Sequence, residues 1–191
     1  MSPAAKLDEQ TAREAVLDAA DRVFYARGVS GTGMAEIRDA SGVSLRRLYG
    51  LYPSKHDLVA AWLEARHTSW MTWFKNSIEN RINSGASPID AIFDTLARWA
   101  STPGYRGCAF LNTAAEVTEI DDRHLQIIAA HKRGLVEYLA EFMRDAGVND
   151  PATVAVALGV LVDGAIVQAA VFGSLDPIHT AREVAGRFVE A

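Results

Sequence analysis

The stretch GVSLRRLYGLYPSKHDL, residues 42–58, decides the fold of the front of this chain. It follows the segment MAEIRDA, residues 34–40, and a Ser-Gly-Val turn separates two apolar patterns of about two helical turns each. Ile37, Val43 and Leu48 are spaced so that they pack where the two short helices cross. Two short helices joined by a tight glycine turn are the outline of a helix-turn-helix, and the second of them is the recognition helix.

Capping signals mark the helices on either side of this motif. Thr11 and Glu14 form a capping-box pattern at the start of TAREAVLDAADRVFYAR, and Gly28 ends that helix as a residue that tolerates a left-handed backbone. Ser54 and Asp57 give the same start signal for the next helix, which is long and apolar. These signals predict a three-helix front unit that ends where the long helix begins.

The remainder of the chain is helical as well. Its apolar residues recur at helical spacing, and no stretch shows the alternation of an exposed strand. Further helices are predicted at residues 68–82, 88–100, 108–117, 125–142, 152–173 and 177–190. The predicted fold class is all-α, with a helix-turn-helix domain over residues 1–53 and a second helical domain over residues 54–191.

The composition is that of a soluble globular protein with unevenly distributed charge. The 191 residues carry a net charge of −5, and 49% of them are hydrophobic. Residues 1–60 hold eight basic and eight acidic side chains, so the whole acidic excess lies in residues 61–191. A net negative charge argues against a protein that coats nucleic acid indiscriminately, whereas the neutral front part is compatible with a specific contact.

Two features indicate a cytoplasmic protein. The single cysteine, Cys108, cannot form an internal disulfide, and the polar start MSPAAKLDEQ lacks the pattern of a signal peptide. Residues 152–173 are long enough to span a bilayer, but Asp163 lies at their centre. A central Asp costs roughly 2.5–3.5 kcal/mol on insertion scales, so a buried helix is favoured and no membrane partner is expected.

Two adjacent arginines on the short second helix are the first candidates for function. When Val43 and Leu48 face inward, Arg46 and Arg47 lie on the open side of the helix. In a major groove, an arginine fork can engage both acceptors of a guanine. Neighbouring residues on a helix point about 100° apart, so one arginine is expected to read a base and the other to bind phosphate. The sequence favours neither assignment.

The quoted stretch, preceded by GTGMAEIRDAS and by a helix ending in VFYARG, resembles the amino-terminal DNA-binding domain of TetR-family transcriptional regulators. The resemblance covers about residues 10–58, and it implies that Tyr49 contacts DNA and that Lys55 holds a phosphate. It further implies phosphate contacts at the start of the first short helix and contacts with bases or backbone at positions 45–47. The predicted DNA-binding residues are Thr32, Gly33, Ser44, Leu45, Arg46, Arg47, Tyr49 and Lys55.

Two positions depart from the family pattern. Gly50 stands where many members have a larger residue that reaches the phosphate backbone, and Arg38 stands where a small residue usually allows the helices to cross. The Arg38 stem can cover the crossing while its guanidinium reaches DNA or pairs with Asp39, Glu36 or another neighbour. These departures leave open an alternative, in which the chain is a helical ligand-binding or interaction protein that has lost specific DNA binding.

A partner copy of the chain is expected. One helix-turn-helix binds too small a site for useful specificity, and a dimer that reads two half-sites is the usual solution. The helices at residues 152–173 and 177–190 are the predicted homodimer interface. In the first of them small residues recur at four-residue steps in two groups, which lets another helix approach closely: Ala155 and Gly159, then Ala165, Ala169 and Gly173.

Most aromatic residues lie in the middle of the second domain, which by the resemblance encloses a small-molecule pocket. Ligand binding there is implied to move the front domains apart, so that a repressor leaves double-stranded operator DNA. The predicted ligand-binding residues are Trp62, Trp70, Trp73, Phe93, Trp99, Phe110, Asn112, Glu116, His131 and Gln168. An enzyme is not expected, because the sequence lacks HExxH, GxSxG and GxxxxGK motifs, and no metal or other cofactor is predicted.

Overall fold

A computed structural model describes residues 8–116 and 122–189, apart from the side chains of Asp122 and Val189. These residues form helices and turns, without a strand among them. The helices are α1 (Glu9–Arg27), α2 (Met34–Ser41), α3 (Leu45–Leu51), α4 (Lys55–Asn83), α5 (Pro88–Ala100), α6 (Ala109–Glu116), α7 (Asp122–Asp145), α8 (Pro151–Phe172) and α9 (Asp176–Val189). The predicted all-α fold class is confirmed.

The described residues form two compact units. The first unit takes the chain up to Arg66 together with the described part of Thr113–Ile127, and the second takes His67–Asn112 and the described part of Ile128–Ala191. The first unit thus extends past the predicted limit at residue 53. The reason is that α4 begins at Lys55 without a linker and buries Leu58 and Trp62 completely or nearly so.

The core of the first unit is built on α1, which buries a face of small and apolar residues: Ala12, Val16, Ala19, Ala20 and Phe24. Phe24 packs edge-to-face on Trp62 of α4, with ring centroids 5.2 Å apart. The Trp62 indole N–H donates to Oδ1 of Asp21 at 2.7 Å, and Arg66 pairs with the same oxygen at 2.5 Å. These contacts fix the first turns of α4 to α1.

The helix-turn-helix has the predicted construction. Gly42 has φ of 70° in the turn between α2 and α3, which is a backbone conformation that favours glycine. Ile37, Val43 and Leu48 are all buried where the two helices cross, as the spacing predicted. Ser44 caps α3 by accepting the N–H of Arg47 at 3.4 Å.

Two helix boundaries differ from the sequence predictions. α1 begins at Glu9 because Asp8, three residues before Thr11, is the cap: its carboxylate accepts the Thr11 N–H at 2.8 Å and the Thr11 hydroxyl at 2.7 Å. The predicted capping box of Thr11 and Glu14 is therefore wrong. The predicted break before residue 68 is wrong too, since α4 is continuous and no glycine or proline lies between Lys55 and Asn83.

In the second unit, α8 packs against α5 and α9. Its small residues face this unit's own core, and a Cβ on Gly159 would lie 2.9 Å from Cγ2 of Val136 on α7. Ala155, Ala165 and Ala169 are buried on the same side. The expectation that a second copy of the chain meets these four buried residues is wrong, because they face the core of their own unit; Gly173 is exposed at the end of the helix.

The helix α8 is also the one segment, among the described residues, that is long and apolar enough to cross a membrane. Only 44% of its most apolar window is buried inside the protein. At its centre Asp163 pairs with Lys132 of α7 at 2.5 Å. The helices of soluble proteins meet the same length and composition criteria, so this is weak evidence for a membrane span.

Candidate DNA-binding surface and ligand region

The recognition helix α3 presents one continuous exposed face. Leu45 is 39% and Tyr49 is 45% exposed, and Arg46 between them is exposed as well. Leu48, about 100° from Tyr49 on the helix circumference, is fully buried. At about 100° per residue, positions 45, 46 and 49 fall within one third of the helix circumference. We refer to Leu45, Arg46 and Tyr49 as the reading face.

The two arginines have different surroundings. None of the described residues bonds to the Arg46 guanidinium. The Arg47 side chain, in contrast, is half-buried and turns back to α1, where its Nη2 donates to the backbone carbonyl of Asp8 at 2.8 Å. The expectation that both side chains project outward from α3 therefore holds for Arg46 and fails for Arg47.

Lys55 occupies the first residue of α4, at the N-terminus of a 29-residue helix. Ser54 and Asp57 provide the predicted start: the Asp57 N–H donates to Ser54 Oγ at 3.1 Å, and the Ser54 hydroxyl donates to Oδ2 of Asp57 at 2.6 Å. The Ser54 hydroxyl, and then the nearby Arg123, hold the pKa of Asp57 below its usual value. The Lys55 ammonium makes no ion pair within the described residues, and the positive end of the helix dipole also favours an anion here.

The start of α2 does not match its predicted role as a phosphate site. Thr32 is 2% exposed, and its hydroxyl donates to the Gly28 carbonyl at 2.8 Å. The Gly33 N–H donates to the carboxylate of Glu36 at 2.9 Å, and Glu36 in turn pairs with Arg27. Because these donors are already used and a carboxylate lies at the helix start, the predicted phosphate contacts of Thr32 and Gly33 are not supported.

Arg38, the second departure from the family pattern, pairs with its neighbour. Its guanidinium contacts Oδ1 of Asp39 at 2.6 Å. The ion-pair interpretation of Arg38 is thus the one that the structure adopts. Gly50 is exposed in α3, and a Cβ at this position would have open space around it.

The last residue of α6 contacts the loop between α1 and α2. Glu116 accepts the Ser30 N–H through Oε2 at 3.1 Å, and its backbone carbonyl accepts the Ser30 hydroxyl at 3.0 Å. The carboxylate lies so close to Gly28 that a Cβ there would be 2.6 Å from it. Glu116 was predicted to contact a ligand; these bonds instead give it a structural role in the first unit, which no sequence pattern pointed to.

Five of the ten predicted ligand residues lie together in the second unit. Trp70 contacts Trp73, Trp99 and His131, with ring centroids 6.3, 5.7 and 5.5 Å away. Phe110 stacks on His131 at 3.7 Å. Tyr105 joins them through an edge contact with Trp99 at 5.0 Å. We call these residues the aromatic cluster: Trp70, Trp73, Trp99, Tyr105, Phe110 and His131.

Polar atoms at the aromatic cluster could orient a ligand. His67 and His131 face each other with their Nδ1 atoms 3.0 Å apart, so one ring donates and the other accepts. The Trp70 indole nitrogen is buried, and no group among the described residues accepts a hydrogen bond from it. A buried N–H without an acceptor is uncommon in folded proteins, and a ligand oxygen is one group that can satisfy it.

The other predicted ligand residues have different surroundings. Trp62 belongs to the core of the first unit, as described above. Phe93 is 1% exposed within α5, and the Asn112 side chain donates to the Arg106 carbonyl at 2.8 Å. Gln168 is exposed on α8 and lines a groove along α9. These contacts account for the residues without a ligand.

An apolar stripe runs along the outer side of α8. Val156, Val160, Val167 and Val171 recur at steps of four or seven residues, and Val160 is 70% and Val171 73% exposed. Phe172 continues this surface at the end of the helix. A groove of about 420 Å³ lies beside the stripe, between α8 and α9. Soluble proteins rarely expose such a contiguous apolar surface without a partner.

Lys132 of α7 also lies 3.5 Å from Sγ of Cys108, which is a buried free thiol. No group of three or more His, Cys, Asp or Glu side chains in the described part of the chain could hold a metal ion.

Two family models match the chain. The model for bacterial regulatory proteins of the tetR family matches residues 16–62, which contain the helix-turn-helix. The model for the tetracyclin repressor-like C-terminal domain matches residues 86–191. Together they account for most of both units.

Individual proteins are similar over most of their length. The HTH-type transcriptional regulator TtgR of Pseudomonas putida is 26% identical over 176 residues, which cover 84% of this chain and 81% of TtgR. SCO4454, a TetR-family transcriptional regulator from Streptomyces coelicolor, has a TM-score of 0.79 at 24% identity and 95% coverage of both chains. The reduced form of E. coli NemR has a TM-score of 0.82 at 20% identity, covering 93% of this chain and 97% of NemR. These structures share the fold.

Proposed function

This chain belongs to the tetR family of bacterial regulatory proteins, and from that premise we propose that it is a dimeric repressor which a small molecule releases from operator DNA. The observation that carries the proposal is the reading face of α3, where Leu45, Arg46 and Tyr49 are exposed above a buried Leu48. Such a regulator acts on the genome, so its proposed location is the cytoplasm. Its family is regulatory rather than enzymatic.

DNA binding involves the reading face and Lys55. Arg46 provides a planar fork of N–H donors, Leu45 provides apolar contact for a thymine methyl group, and the Tyr49 hydroxyl can reach backbone or base. Lys55 holds a phosphate at the N-terminus of α4. Ser44 is exposed at the start of α3, but its hydroxyl already caps that helix.

A gel-shift experiment with overlapping 30-base-pair duplexes from the DNA flanking the protein's own gene tests this function. A specific shift is expected for at least one duplex. Lys55→Ala is expected to remove a phosphate contact from each half-site, which reduces the salt dependence of dimer binding by a slope change of about 1.8 in log K against log salt. Lys75→Ala, which removes a lysine from the second unit, is the matched control and should leave the slope unchanged. The absence of any specific shift at low salt would favour the alternative of a helical binding protein without an operator.

The dimer forms through α8 and α9. The valine stripe on α8 and the adjoining groove support this interface, since a twofold-related copy would cover both. Phe188 on α9 is exposed as well and belongs to the same proposed interface. Two copies place two recognition helices on one duplex, which gives the specificity that a single motif lacks.

The effector binds at the aromatic cluster. Its rings are suited to a planar, largely apolar molecule, and the buried Trp70 N–H favours a ligand with a hydrogen-bond acceptor. Calorimetry with 2-acetylnaphthalene and 2-ethylnaphthalene, which differ in one carbonyl oxygen, tests this chemistry. The carbonyl compound is expected to bind about fivefold more tightly, and Trp70→Phe is expected to remove that preference. Equal affinities for the two compounds in the wild-type protein would contradict the proposed role of Trp70.

A further inference from the structure

We propose that the two adjacent arginines of the recognition helix divide their work: Arg47 is a positioning residue that fastens α3 to the start of α1, and Arg46 is the guanidinium that reaches DNA. This division deepens the proposed function and rests on it. It resolves a choice that the sequence alone leaves open.

Arg47 is held by the backbone carbonyl of Asp8, which accepts two hydrogen bonds. The backbone oxygen of Asp8 accepts Nη2 of Arg47 at 2.8 Å and also accepts the Ala12 N–H at 3.1 Å, the first backbone bond of α1. The Asp8 carboxylate is separately occupied by the N–H and hydroxyl of Thr11. Arg47 therefore uses the second lone pair of this carbonyl at the start of α1. The bond joins residues 39 positions apart in the chain.

The short recognition helix has reason to need this anchor. α3 is seven residues long, which is too short for a helix to be stable by itself. On its inner side the buried Leu48 holds it to the core. On the next side, about 100° away, the Arg47 contact holds it to α1. Two contacts on different sides restrict rotation of the helix about its axis, which sets the direction in which the reading face points.

The direction of Arg46 agrees with this division. On the helix circumference Arg46 lies about 60° from Tyr49, whereas Arg47 lies about 160° from Tyr49. Arg46 is exposed and is not bonded to any described residue, while Arg47 is half-buried. A groove that contacts Leu45 and Tyr49 therefore contacts Arg46 as well, and it meets Arg47 only if the bond to Asp8 breaks.

Two measurements on Arg46→Ala, Arg47→Ala and Arg47→Lys test the proposal. The first is hydrogen exchange of the free protein. Arg47→Ala is expected to speed exchange several-fold at the Thr11 and Ala12 amides; Arg47→Lys, which keeps a donor, is expected to restore part of the protection. Arg46→Ala, the matched control on the neighbouring position, is expected to leave these amides as in wild type.

The second measurement is the salt dependence of binding to the duplex that the wild-type protein shifts, compared with a scrambled duplex. Arg46→Ala is expected to lower the ratio of specific to non-specific affinity by about 5- to 150-fold per half-site if it reads a base, or to reduce the salt slope by about 0.9 per half-site if it binds phosphate. Arg47→Ala is expected to weaken specific binding but to leave the salt slope within error of wild type. The reason is that Arg47 acts through the orientation of α3 and contacts no phosphate itself.

The outcomes separate this proposal from the proposed function. If Arg47→Ala lowers the salt slope by about one contact per half-site and does not alter exchange at Ala12, Arg47 binds DNA and the division is wrong. If Arg46→Ala changes neither the affinity ratio nor the slope, the division is wrong as well. If the wild-type protein shifts no duplex, the proposed function fails and the role of Arg46 fails with it, while hydrogen exchange still decides whether Arg47 anchors α1.

Discussion

Glu116 and Ser30 are joined by two hydrogen bonds although 86 positions separate them in the chain. The side chain of Glu116 accepts the Ser30 N–H, and its backbone carbonyl accepts the Ser30 hydroxyl. Glu116 is the last residue of α6, and Ser30 lies in the loop between α1 and the helix-turn-helix. The position of that loop, and with it the start of α2, is therefore coupled to the end of α6.

Replacement of Glu116 by alanine is expected to lower the free energy of unfolding by about 0.5–1.5 kcal/mol, because the Ser30 N–H loses its acceptor. Glu116→Gln keeps an oxygen at the same place and is expected to stay close to wild type. Urea unfolding at a fixed protein concentration measures both variants. Equal losses in the two would indicate that the charge of Glu116, rather than its acceptor oxygen, is what stabilises the loop.

Gly28 packs directly against the carboxylate of Glu116. Its φ of 85° and ψ of 158° belong to a region that is essentially restricted to glycine, and a Cβ would lie 2.6 Å from the Glu116 carboxylate. Gly28→Ala is expected to cost about 1–3 kcal/mol from the backbone alone, and more while Glu116 is present. In the Glu116→Ala background the same change should cost less, and the difference in a double-mutant cycle reports the clash.

Gly50→Ala is the matched control for that substitution. A Cβ at Gly50 has open space, and the residue lies within α3. Alanine is expected to stabilise the protein there by up to about 1 kcal/mol, since glycine in a helix loses more backbone entropy on folding. A loss of stability in Gly50→Ala, or a Gly28→Ala variant as stable as wild type, would contradict this account of the two glycines.

Tyr138 makes stability sensitive to high pH. Burial, and to a smaller extent nearby Glu79, raises the pKa of Tyr138 to about 12 in the folded protein, from a model-compound value of 10.0. In the unfolded chain the phenol ionises first, so above pH 10 the folded state binds more protons and its stability falls as the pH rises towards 12. Tyr138→Phe removes this contribution and is expected to lose less stability between pH 9.5 and 11.5. Parallel pH profiles of the two proteins would be evidence against a partly buried, neutral Tyr138.

Local signals in the sequence were sufficient for the helix-turn-helix and for most helices, although the break predicted within α4 had no glycine or proline to cause it. Gly42, Val43 and Leu48 determine a turn and a crossing within a few residues, so their roles follow from spacing alone. The other errors arose where a long-range partner or a competing cap decides the structure. Asp8 caps α1 ahead of Thr11, and nothing near Arg47 in the sequence reveals that its partner is the Asp8 carbonyl.

The ligand residues illustrate the same limit. Trp70 and His131 are 61 positions apart, and their contact depends on how the helices of the second unit pack. Trp62 has the same side chain as Trp70, but a carboxylate on α1 accepts its N–H, and this gives it a structural role. Likewise, the small residues of α8 correctly predicted a close contact with another helix. That helix is α7 of the same chain, where Gly159 meets Val136, and not a helix of a partner copy.

The outer stripe of α8 gives the last prediction, which concerns the oligomeric state. Val160→Glu places a charge at the centre of an exposed apolar row. Burying that charge against a second copy of the chain would be costly, because the apolar row offers no opposite charge to pair with it. The variant is expected to be monomeric by sedimentation at concentrations where the wild-type protein is a dimer, and to keep its helical circular dichroism because the side chain is exposed in the single chain. Its affinity for operator DNA should fall as well, since two half-sites are no longer read together.

Thr72→Glu, which adds the same charge on the exposed side of α4, is the matched control and should remain dimeric. If Val160→Glu stays dimeric while Thr72→Glu dissociates, the interface lies on α4 and the proposed arrangement of α8 and α9 is wrong.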